Sequence, residues 1–213
     1  MYREHEAPAG LACLWTREST EPYIARVVPD GCTDIIWVPD TDHLFVAGPD
    51  TQPHPTTIAP GRMFGVRFPP GAGPAVFGAP AHALRDLRVP LTELVPGARL
   101  STPDEIVAFA LDRLRPDPSA HAVASALRRS PVSTVAWDLG LSSRQLHRRC
   151  LDAFGYGPKM LQRVLRFDRA VSLARAGTPF ASVAAESGYA DQAHLSREVR
   201  EFAGVPLSQL IRP

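Results

Sequence analysis

The stretches VAWDLGLSSRQLHRR (residues 135–149) and VAAESGYADQAHLSRE (residues 183–198) are one pattern written twice. Val135, Ala136, Asp138 and Gly140 align with Val183, Ala184, Glu186 and Gly188 at an offset of 48. Past the turn the offset is 49, and Leu146, Arg148, Cys150 and Gly155 align with Leu195, Arg197, Val199 and Gly204. Each copy reads as a short helix, a turn built on a glycine that tolerates positive φ, and a second helix with a polar face. That is how a helix-turn-helix reads.

The flanking residues extend the pattern into a domain. Ser119–Arg129 reads as a helix with Val123, Ala124 and Leu127 on one face. Ser130 is a good N-cap and Pro131 fits the first position of a helix to Leu139. Ser142 or Ser143 is expected to cap the next helix, which runs to about Phe154 with Leu146 and Cys150 inward. A long linker helix is expected from Pro158 to about Ala176, with Gly177 as its C-terminal glycine. The second unit then runs from Pro179 to Ser187, turns at Gly188, and continues from Asp191 to Phe202.

Charge divides the chain at the same place. Residues 1–119 carry 10 Lys+Arg against 15 Asp+Glu, and residues 120–213 carry 13 against 7, so a net charge of +1 hides a basic half beside an acidic one. Such a division suggests a module for a polyanion joined to one with another task. Proline divides likewise, with 17 of 22 before residue 120, which makes the first half loop- and strand-like. Three cysteines without a CxxC pair argue against a disulfide framework and for a reducing compartment. No apolar run reaches the roughly 18 residues of a membrane span, and MYREHEAPAG is too polar for a signal-peptide core. A cytoplasmic location is expected.

In the first half, Leu11–Trp15, Tyr23–Val28, Asp34–Val38, His43–Ala47 and Met63–Phe68 have strand character and are separated by turn signals such as Pro29-Asp30-Gly31. Helical spacing recurs only over Pro103–Arg115, which is read as a connecting helix. The fold class is therefore α+β: a β-rich sandwich or barrel-like domain over residues 1–100, a connecting helix and linker over 101–118, and an all-α domain over 119–213 with two helix-turn-helix subdomains joined by a linker helix. Trp15, Trp37 and Arg67 are the candidate effector-binding residues; an inward strand arginine needs an anionic partner, while aromatic strand residues also serve as plain core. Cys32 between Asp30 and Asp34 is a poor nucleophile, because neighbouring carboxylates disfavour the thiolate. His5, His43, His54 and His82 have no metal-ligand spacing, so no catalytic set, cofactor or metal is expected. The alternative is a DNA-binding protein whose β domain is an enzyme or a metal-binding module.

The chemistry of the second half points to duplex DNA. A major groove admits one helix, arginine forks onto guanine and glutamine pairs with adenine. Two such helices braced by a third could enter successive major grooves about 34 Å apart. Arg163, Arg166 and Lys159 are candidates for phosphate contacts.

These residues also carry a resemblance. The run from Val135 to Ser142, the turn Gly155-Tyr156-Gly157-Pro158 and above all the run from Val183 to Arg197 resemble the DNA-binding domain of the AraC/XylS family of transcriptional regulators. The resemblance implies two helix-turn-helix subdomains gripping one face of DNA. By position it implies base contacts from Arg144, His147 and Arg148 in the first reading helix and from Gln192, Ser196 and Arg197 in the second. Glu198 and Glu201 stand where that family often has neutral or basic residues. Pro29–Asp34, Gly65–Phe68 and Leu87–Leu91 are similar to the N-terminal sensing domains of a subset of these regulators. The expected partners are then double-stranded DNA, a small-molecule effector and RNA polymerase, with monomer and homodimer both open and no membrane.

Overall fold

The computed structural model describes residues 1–211, so the last two residues of the expected 119–213 domain lie outside the described residues. Eight strands form in the first half: β1 (Tyr2–His5), β2 (Cys13–Ser19), β3 (Tyr23–Val27), β4 (Thr33–Val38), β5 (His43–Ala47), β6 (His54–Ile58), β7 (Gly61–Phe68) and β8 (Arg88–Pro90). Six make one antiparallel sheet in the order β1-β2-β7-β4-β5-β8, and β3 pairs with β6 in a separate ribbon. Four helices accompany them: α1 (Gly73–Phe77), α2 (Ala81–Leu84), α3 (Leu91–Leu94) and α4 (Pro103–Arg113).

Strand alternation gives the sheet two unlike faces. Ile35, Val46, Phe64, Val66 and Phe68 point one way and pack with Val76, Phe77, Leu84, Leu91, Ile106 and Ala110 of the helices. Because Ile106 and Ala110 are fully buried in this core, α4 belongs to the β domain and is not a free connector. The register Cys13↔Arg67↔Asp34 and Trp15↔Gly65↔Ile36 puts Trp15, Asp34 and Arg67 on the other face. The expected strands are present with shifted ends, whereas β1, β6, β8 and helices α1 to α3 are too short to stand out as periodic patterns.

The second half is helical: α5 (Pro118–Arg129), α6 (Val132–Asp138), α7 (Ser143–Phe154), α8 (Pro158–Arg175), α9 (Phe180–Glu186), α10 (Gln192–Ala203) and α11 (Leu207–Leu210). Its core joins Leu127, Val135, Leu146 and Cys150 of the first unit to Leu195, Val199 and Phe202 of the second through Leu161, Val164, Leu165 and Phe167 of α8. Ala136 and Ala184, the small residue of each repeat, are buried. Asp117 caps α5, since its side chain accepts from the Ser119 and Ala120 N–H groups. Ser130 ends α5 and makes no N-cap for α6; that helix starts from Pro131 without a side-chain cap. Ser142 caps α7 and Asp191 caps α10.

The two halves are packed together. The buried Tyr156 hydroxyl donates to the Asp50 carbonyl at 2.6 Å, and Arg88 holds the Asp50 carboxylate through two bonds of 2.9 and 2.7 Å.

Candidate nucleic-acid interface and effector cleft

The first candidate surface is made by the N-terminal halves of α7 and α10. Ser142 accepts from the Gln145 N–H at 3.2 Å while Gln145 Oε1 accepts from the Ser142 N–H at 2.8 Å, a reciprocal cap that satisfies two orphan helix donors. Gln145 is therefore committed to its own helix and is not free to pair with a base. Arg144, His147, Arg148 and Arg149 are all exposed. His147 lies over Gly157, where a Cβ would come within 3.0 Å of the ring, so the glycine lets α7 and the start of α8 approach. On α10, Asp191 accepts from the His194 N–H at 2.6 Å, Gln192 and Arg197 are exposed, and Ser196 is half-buried.

Glu198 has an internal task. Its carboxylate is 5% exposed and accepts from Arg163 at 2.9 Å and from Arg166 at 2.9 and 3.1 Å. Arg163 also pairs with Glu201 at 2.6 Å, and the Arg166 guanidinium lies 4.6 Å from the centre of the Tyr189 ring. Burial alone would raise the Glu198 carboxyl, but the bonds from Arg163 and Arg166 bring it below its ordinary value. Arg163 and Arg166 thus fasten α8 to α10 and are not the free phosphate contacts expected of them; Lys159 stays exposed. The two acidic residues that set this chain apart in the second reader are the anchors of that fastening.

The second candidate surface is a cleft of about 450 Å³ between the polar face of the sheet, the β3–β6 ribbon and α8. Its floor is built around Arg67, whose Nε donates to Asp34 at 3.1 Å and whose guanidinium lies 3.8 Å from both Asp30 and Glu4. Trp15 donates from its indole N–H to Asp34 at 2.7 Å and lies flat against Gly65, where a Cβ would fall 2.0 Å from the ring. Only glycine fits there. From α8, Phe167, Asp168 and Val171 face the same space.

Burial pushes the Asp30 carboxyl up to about 6; Arg67 pulls against this, and Asp34 and Asp168 add to it. Asp168 is raised as well, mainly by burial. The Cys32 thiol is held well above its ordinary value by burial and Asp30, and Cys13 is pushed up to about 11, mainly by burial. Of the three expected effector residues, Trp15 and Arg67 line this cleft. Trp37 does not, because its strand parity turns it to the opposite face, where it packs against the helical side of the domain. Asp30, Asp34 and Asp168 were missed as cleft residues: the first reads as a turn residue, the second as the start of a strand, and nothing local marks Asp168 on the linker helix.

These two surfaces define a class: a protein with two helix-turn-helix units braced on one helix beside a sheet domain that carries a cleft. Residues 135–212 match the family described as a helix-turn-helix domain, and residues 9–90 match a domain of unknown function, DUF6597. Among curated proteins none matches by sequence. Among solved structures, an apo variant of ToxT from Vibrio cholerae strain SCE256 superposes with a TM-score of 0.54 at 11% identity, covering 97% of this chain and 98% of that one. Wild-type ToxT from the same strain, bound to an unsaturated fatty acid, gives 0.53 at 12% identity over 97% and 96%. ToxT from Vibrio cholerae O395 bound to (E)-4-(8-methylnaphthalen-1-yl)but-3-enoic acid gives 0.52 at 12% identity over 99% and 98%. At such identities the likeness is one of fold. More particularly, the C-terminal domain is an AraC-type helix-turn-helix domain, and with its sheet domain the chain shares the two-domain fold of ToxT. It is a DNA-binding transcriptional regulator.

Proposed function

We propose that this protein is a sequence-specific regulator whose two reading helices, α7 and α10, enter successive major grooves and whose interdomain cleft takes a small-molecule effector. Bases are read by Arg144, His147 and Arg148 from α7 and by Gln192, Ser196 and Arg197 from α10, with Lys159 on phosphate. The observation that carries this is the sorting of polar side chains. Gln145, Arg163, Arg166 and Glu198 are consumed by the fold, while most of the named readers are left exposed on two paired helices. The first reader, with Arg144, Arg148 and Arg149, contributes more affinity than the second. No catalysis is assigned to the β domain, whose thiols are held protonated by their surroundings.

Two of the ToxT structures hold carboxylic acids. In this cleft Glu4, Asp30 and Asp34 share the single Arg67 cation, and Asp168 adds a further carboxylate from α8. Of the other arginines on the walls, Arg88 is paired with Asp50, Arg26 with a backbone carbonyl, Arg17 lies over the Tyr2 and Trp15 rings, and Arg175 stands near Asp168. The lining carries both charges, so a ligand with an apolar body seated among Trp15 and Phe167 and a polar head at the Arg67 cluster fits this cleft. Selection of bound sequences from a random duplex pool tests the reading. Enrichment of a site with two elements one helical turn apart supports it, and a specificity ratio near one at stated salt sinks it.

A further inference from the structure

The two reading helices end in the same way, and the β domain meets both ends. α7 stops at Gly155 with φ +79°, and α10 stops at Gly204 with φ +68°. The backbone carbonyls left over at a helix C-terminus carry partial negative charge and want donors. Arg85, next to α2, donates to the Gly155 carbonyl at 3.2 Å. Arg26, on β3, donates to the Ala203 carbonyl at 2.5 Å. Both junctions are tight. A Cβ at Gly155 would come within 2.8 Å of Pro49 and 3.3 Å of the Ala81 carbonyl oxygen, and one at Gly204 within 2.8 Å of the Arg26 guanidinium.

The attachments differ in strength. The first reader is also held by the Tyr156 bond to Asp50 and by His82 3.4 Å from Asp152, against helices and loops of the main domain. For the second unit, α9 to α11, the Arg26 bond is the one hydrogen bond to the β domain among the described residues. Arg26 sits on the two-stranded ribbon, which is hydrogen-bonded to no strand of the main sheet and exposes Tyr23 and Ile24. The same ribbon forms a wall of the cleft.

We infer that Arg26 and Arg85 are positioning residues: through them the β domain sets the separation of the two reading helices. α10 is a rigid rod of twelve residues fastened to α8 at Glu198 and to the ribbon at its C-terminal end, so moving that end re-aims the N-terminal half that would enter the groove. The inference rests on the DNA-reading assignment above.

The test is selection from a random duplex pool with the full chain, as wild type, Arg26→Gln and Arg26→Lys. Wild type is expected to enrich two elements at one spacing and to lose about tenfold in affinity when one base pair is inserted between them. Arg26→Gln is expected to keep the base preferences of each element and to lose less than about threefold on the same insertion. Arg26→Lys keeps a cationic donor at the helix end and is expected to fall between the two. Circular dichroism shows that each variant is folded at the assay temperature, and should Arg26→Gln not fold, Arg26→Lys alone decides. Unchanged spacing discrimination in the folded variants overturns the proposal. Failure of the wild type to enrich any site would instead overturn the DNA-reading assignment and this proposal with it.

Discussion

Asp30→Asn is expected to make the protein more stable at neutral pH, although it removes a carboxylate that faces an arginine. The Asp30 carboxyl is raised from 3.8 to about 6, chiefly by burial, with Arg67 offsetting only part of this. Its folded-state value lies above its unfolded one, so the folded protein binds a proton more tightly and gains stability as pH falls from about 6 toward 3.8. At pH 7.5 the charged group therefore opposes folding, by about 3 kcal/mol if nothing screened it. The side chain is 29% exposed, and solvent brings the figure to about 1–2 kcal/mol. Asparagine is nearly isosteric and keeps an oxygen for the Cys32 N–H, which Asp30 Oδ1 now accepts at 2.8 Å. For a chain of this size a gain of 1–2 kcal/mol corresponds to about 3–6 °C in the midpoint of thermal unfolding. The assay is thermal unfolding followed by circular dichroism at pH 7.5 and pH 5. The variant should melt higher at pH 7.5, and the difference should shrink at pH 5, where Asp30 of the wild type is already protonated. A variant that melts lower at pH 7.5 would show that the Asp30–Arg67 pair is a net tie and would refute the reasoning.

Three further outcomes are expected. Glu198→Ala leaves Arg163 and Arg166 without their shared acceptor and should lower stability by about 2–3 kcal/mol at neutral pH, less than for a fully buried pair because both arginines reach water. Because the Glu198 carboxyl lies below its ordinary value, that contribution is present above about pH 4.5 and disappears as pH falls through the folded-state value, so the two proteins should converge in acid denaturation curves. Arg197→Ala should weaken binding to the selected site by about 1–3 kcal/mol and random DNA far less, and Arg148→Ala should cost more than Arg197→Ala; equal losses on specific and random DNA would make Arg197 a phosphate contact. Gly65→Ala should destabilise the β domain and displace Trp15, measured as a red-shifted, more quenchable tryptophan emission, since a methyl group there overlaps the indole.

The second half was largely legible because its information is local. Spacing of apolar residues, two capping residues and glycines at positive φ are written within a few positions of the elements they shape, and Ser142, Asp191, Gly155 and Gly188 all act where local chemistry puts them. Local reasoning failed where one residue had two uses. Ser130 looked like the start of α6 and is the end of α5, and Gln145, an exposed polar residue of the first reader, is spent on a cap. In the first half, short strands and one-turn helices carry too few residues for a period to emerge, and α4 was readable as a helix but not as part of a core.

The sequence by itself determined that there are two reading units on a basic helical domain, since a helix-turn-helix is specified by neighbours along the chain. It also determined that an acidic strand-rich domain precedes them. Tertiary structure alone decided which polar groups remain available. Glu198 meets Arg163 and Arg166 across about thirty residues, Arg67 gathers Glu4, Asp30 and Asp34 from three segments, and Trp15 and Trp37 part company because a strand turns alternate side chains to opposite faces. It also decided that two arginines of the β domain close the ends of both reading helices, a relation no local pattern announces because each partner is ordinary in its own neighbourhood.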